Sequence, residues 1–95
     1  MTRANMPNQV TNYENRYLEI VRNMVNKMKN SSRIQNINID FTSEMIPHHE
    51  GAVEMCNNLL KYPIDHRLRL VANSIIKEQT QGIAELKKIQ EDLYR

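Results

Sequence analysis

The sequence predicts an all-α fold, one domain of about three helices with a long helical hairpin. Two observations carry this. Apolar residues recur at steps of three and four through most of the chain, and the breaks hold Asn, Ser, Pro and Asp, which make turns and start helices. With 95 residues and no internal repeat, the chain is expected to form one small core. A chain of this size buries only roughly 60 to 65 % of its unfolded surface, so assembly or a bound metal is expected to add stability.

Residues 1–10 are polar and aperiodic and read as a flexible N-terminal arm, leaving 11–95 as the helical domain. Helix one is expected from near Thr11, where Tyr13, Tyr17, Ile20, Val21, Met24 and Met28 mark one face over about five turns. Met24 and Met28 read as core filling. The stretch "NSSRIQNINID" interrupts the pattern and ends in Asp40, the expected N-cap of helix two. That helix should run from Phe41 to about Lys61 and kink or restart at Pro47, because an interior proline costs roughly 3 kcal/mol. Pro63 and Asp65 start helix three, which continues to the C-terminus. Its seam of Leu68, Ala72, Ile75, Gln79, Gly82, Leu86, Ile89 and Leu93 is broken only by the adjacent Gln79 and Gly82.

Counting equally from a turn near Pro63 sets His48 and His49 level with Lys77–Gln79, and Met45 near Gly82. Gln79 would then orient an imidazole through its free ring nitrogen. Leu86, Ile89 and Leu93 should pass the end of helix two, so that helix one or a second chain must cover them; a homodimer is expected.

Composition excludes several function classes. Lys and Arg number 13 against 11 Asp and Glu and are interspersed, and with no Trp and one Phe there is no basic, aromatic-lined face for nucleic acid. The single Cys56 excludes an intrachain disulfide and an all-Cys zinc site. No run of about 18 apolar residues predicts membrane insertion. The first residues lack the apolar core of a signal peptide, so the chain as given reads as cytoplasmic, and as exported if a leader was trimmed.

The chemistry concentrates in "MIPHHEGAVEM", residues 45–55. At about 100° per residue, Met45, His49 and Cys56 fall on one line of helix two, with His48 and Met55 on a second line beside it. Thioethers favour soft cations, so Met with His suits Cu(I). Enzymatic alternatives fail on spacing. A zincin H-E-x-x-H beginning at His49 meets Val53 where its second histidine must stand. A di-iron Glu-x-x-His pair fails at Pro47 after Glu44 and at Val53 after Glu50. Cys56 and His49 stand two turns, about 10 Å, apart, too far for a nucleophile pair. The chain is expected not to be an enzyme.

"DFTSEMIPHHEGAVEM", continued by "LRLVANSIIKEQTQGIAEL", resembles the bacterial family known as domain of unknown function 305, from residue 40 to about 93. The resemblance implies a ferritin-like helical bundle and a copper-binding role for Met45, His48, His49 and Met55, with Asp40 a further motif residue; three helices rarely close a four-helix architecture, so the expected homodimer would complete the bundle. Members often carry Glu where Gly82 stands and Met where Leu86 stands, which leaves this chain fewer ligands. The expected function is therefore Cu(I) binding in metal buffering or tolerance, with Gln79, Cys56 and Asp40 in supporting positions. The alternative is a structural or protein-interaction module whose His/Met cluster is core.

Overall fold

The structure, a computed structural model, describes residues 5–94. It is all-helical as predicted, with α1 (Pro7–Lys29), α2 (Ile37–Leu59) and α3 (His66–Leu93). Helix α1 begins earlier than polarity suggested. Proline at its first position has the backbone angle a helix needs, and the Met6 N–H donates to Gln9 Oε1 at 2.9 Å. Residues 7–10 are thus a first turn rather than arm, and positions 1–4 lie outside the described residues.

Helix α2 also begins a turn early. Asn36, not Asp40, is its N-cap, with Oδ1 accepting from Asn38 N–H at 3.0 Å and Ile39 N–H at 3.3 Å. "NINID" offers three competent caps, Asn36, Asn38 and Asp40, and the earliest adds a turn that buries Ile39. Asp40 sits in the first turn, where negative charge suits the helix dipole, and its carboxylate accepts the Ile34 N–H at 2.9 Å, closing the α1–α2 connection. The helix does not restart at Pro47; it is unbroken to Leu59. The buried proline ring shares a groove with Ile20, Met24 and Gly51, so its apolar burial offsets the lost hydrogen bond. Asp65 caps α3 as predicted, accepting the Arg67 N–H at 2.8 Å.

Helix α2 is the central element. Helix α1 packs on one side of it and α3 on the other, and α1 and α3 make no contact with each other among the described residues. The Cα trace measures 53 × 24 × 14 Å, as expected of three helices abreast at spacings of about 8–10 Å. The side of α2 toward α1 carries Pro47, Gly51, Glu54 and Asn58. Gly51 admits the Met24 side chain, Glu54 lies 3.5 Å from Arg16, and Asn58 Nδ2 donates to the Tyr13 carbonyl at 3.1 Å. Toward α3, His49 lies against Gly82, and Gln90 Nε2 donates to Thr42 Oγ1 and Ser43 Oγ at 3.0 Å each.

These contacts correct the predicted register. His49 is level with Gly82 rather than Lys77–Gln79, so Met45 moves one turn on, to the level of Leu86. The cause is the connection: residues 60–65 run on before turning, held by Arg69, whose guanidinium donates to the Leu60 and Tyr62 carbonyls. The α3 residues past the end of α2 are consequently those at its start, whereas Gln90 reaches Thr42 near the start of α2. Ile89 and Leu93 remain exposed all the same, because α1 does not reach them.

A flat layer has two faces, and helical phase makes them unlike. One carries Asn23, Lys27, Glu50 and Glu54 around the groove that Pro47 shares with Ile20, Met24 and Gly51. The other carries Val10, Tyr17 and Val25 from α1, Ile37 and Phe41 from α2, and Leu68, Val71, Ile89 and Leu93 from α3, all of them exposed. Among the described residues, Ile20, Ile39, Cys56 and Ala72 form the buried hydrophobic core, with the Pro47 ring buried beside Ile20.

Candidate metal centre

The central turns of α2 position the His/Met residues. His49 is half-buried, and its Nδ1 lies 2.9 Å from the Met45 carbonyl one turn earlier. A carbonyl only accepts, so Nδ1 carries the proton, and in a neutral ring the lone pair then lies on Nε2, the nitrogen left for a metal. That Nε2 faces α3 at Gly82, where an added Cβ would stand 3.2 Å away. The missing side chain at Gly82 therefore leaves room for the imidazole.

His48 points elsewhere. It is exposed on the apolar face, its ring centroid 6.1 Å from that of His49. Met45 is half-buried between the two directions, three residues before His48 and four before His49, so one helical turn carries three donors. Met55 shares the phase of His48 but stands seven residues on, about 10 Å along the axis. The structure thus groups Met45, His48 and His49 and leaves Met55 two turns away. Among the described residues no three His, Cys, Asp or Glu side chains cluster as a metal site.

The supporting positions stand apart from this turn. Gln79 makes no hydrogen bond to either histidine, because the register places Gly82 beside His49. Asp40 is engaged with the Ile34 backbone. Cys56 is buried, and that burial pushes its thiol up from the ordinary range, which disfavours the thiolate that metals and electrophiles need. Iodoacetamide at pH 8 should alkylate Cys56 at least about tenfold more slowly in native protein than in urea. Equal rates would show that the thiol is accessible.

Sequence reasoning missed Gly51 as the seat of Met24 and the contact between Gln90 and the Thr42–Ser43 pair. A glycine inside an amphipathic helix signals close approach, and this signal was available at Gly51.

A family profile described as Domain of unknown function (DUF305) matches residues 3–93. The chain belongs to this family. The match takes in all three helices, so the all-α domain described above is the family's unit here. No curated protein matches the chain. No helix among the described residues is long and apolar enough to cross a membrane.

Proposed function

We propose that this protein is a small helical metal-binding domain that holds Cu(I), or a similar soft ion, through Met45, His48, His49 and Met55, without catalytic turnover, in metal buffering or tolerance. The observation that supports it most is the anchoring of His49: with Nδ1–H given to the Met45 carbonyl at 2.9 Å, the ring offers Nε2 in the turn that also carries the Met45 thioether and the His48 ring. A fixed tautomer reduces the ordering that metal binding requires. Two imidazoles with thioethers form a donor set matched to a soft monovalent ion rather than to Mg²⁺ or Ca²⁺. The reading includes a homodimer, because the exposed apolar residues of three helices far outnumber those the chain buries.

The test is a titration of reduced protein with Cu(I) in competition with a chromogenic chelator. The parent should compete stoichiometrically, and both a His48→Ala/His49→Ala variant and a Met45→Leu/Met55→Leu variant should lose the binding. No competition by the folded parent would refute the metal role. It would favour the second reading, a protein-interaction module, which draws on the apolar face alone.

A further inference from the structure

The open apolar face has a symmetry of its own. On α3 its exposed side chains fall in two clusters, Leu68 with Val71 and Ile89 with Leu93, centred on Thr80–Gln81. On α2 the largest exposed aromatic, Phe41 (54 % exposed), has a counterpart at Leu59, beside which a cleft of about 140 Å³ opens between Val10, Tyr13 and Tyr62. Phe41 and Leu59 are centred on Glu50. The His49–Gly82 contact brings these centres together, because it sets Glu50 of α2 at the level of Gln81 of α3.

Two helices with coincident centres are what a two-fold docking requires, since an isologous interface is self-complementary about its axis. The outline of this face, 53 × 24 Å, has room for the roughly 800 Å² per partner that a stable interface buries. An axis lying in the face and crossing α2 at right angles near Glu50 stacks α2 antiparallel on its copy. The Leu68/Val71 cluster then meets the Ile89/Leu93 cluster, and Phe41 meets the cleft beside Leu59.

The same operation acts on the metal ligands. Within one chain Met55 is two turns from His48. Across the axis, the partner subunit's Met55 arrives level with Met45 and one turn from His48, and His48 and Met55 both project from this face. We propose that a second copy of this chain covers the apolar face in this antiparallel register, so that Met55 of the partner subunit joins Met45, His48 and His49 of one protomer in each soft-metal site. The interface stands on the face itself, whereas the composite site rests on the Cu(I) reading above.

The experiment has two arms. In the first, sedimentation equilibrium of metal-free protein should give a dimer for the parent and for Leu70→Glu, whose site is exposed but off this face, and a monomer of unchanged helical circular dichroism for Phe41→Glu. A parent that stays monomeric at all concentrations overturns the proposal; if it also sediments with phosphatidylcholine/phosphatidylglycerol vesicles, the face belongs to a bilayer. In the second, His48→Ala and Met55→Leu chains, each weak alone, are mixed and allowed to exchange. A composite site returns in each heterodimer, restoring about one quarter of the parental Cu(I) sites. If the parent binds Cu(I) but mixing restores none, the site lies within one chain and the composite proposal falls while the metal role stands. A dimeric parent that binds no Cu(I) removes the metal role and the composite site together, leaving the interface.

Discussion

Replacing Gly51 with leucine should cost about 3 kcal/mol or more, a large share of the roughly 5 to 14 kcal/mol that holds a domain of this size together. An added Cβ at Gly51 would overlap Met24 Sδ and stand 2.9 Å from Met24 Cγ and 3.2 Å from its Cβ. The conflict reaches the root of the Met24 side chain, so a change of its outer torsions is no remedy; α1 must move away from α2. Moving α1 exposes Ile20, the most buried large side chain, at 1 % exposure, and unseats Pro47. Even Gly51→Ala should be unfavourable, because a helix-propensity gain of about 1 kcal/mol is set against overpacking of about 1 to 3 kcal/mol. Urea denaturation of Gly51→Ala, Met24→Ala and the double variant makes the argument quantitative. The double variant should be more stable than the two single changes predict by at least about 1 kcal/mol, since trimming Met24 removes what the new methyl group strikes. Strict additivity would show that Gly51 is not the seat of Met24.

The helices were legible in the sequence because each is a local pattern. The three-and-four spacing from Tyr13 to Met28 and from Leu68 to Leu93 reports burial one turn at a time, and Asp65 has no competing cap nearby. The first cap of α2 was misplaced because Asn36 and Asp40 are chemically equivalent choices, and only the tertiary use of Ile39 decides between them. The hairpin register was lost for a different reason. It depends on how residues 60–65 spend their length, and that is set by Arg69 reaching back to two carbonyls, a contact no periodicity encodes. Because register decides which side chain meets His49, the supporting residues of the site were displaced with it, from Gln79 to Gly82. The turn that carries Met45, His48 and His49 was legible, since they lie within one turn whatever α3 does.

Gly82 is the position where this dependence can be tested with a large effect. An added Cβ there would stand 3.0 Å from His49 Cδ2 and 3.2 Å from Nε2. Unlike Met24 against Gly51, the obstructing group is the far end of a side chain tethered by one hydrogen bond. Gly82→Ala should therefore be tolerated, with folding stability unchanged or raised by up to about 1 kcal/mol as helix propensity improves. Gly82→Leu is different in kind. A branched side chain fills the space that Nε2 faces, and the ring has to leave its bond to the Met45 carbonyl or α3 has to separate from α2. The expected result is a Cu(I) affinity at least about tenfold weaker, on the scale seen when an outer partner of a ligand is lost, with a destabilisation of about 1 to 3 kcal/mol. Chelator competition and urea denaturation on the same sample separate the two effects, and histidine ring NMR shifts report whether the ring has turned. If Gly82→Leu binds Cu(I) as the parent does while its His49 signals move, His49 is not a ligand, and the soft-metal role passes to His48 and the thioethers on the open face.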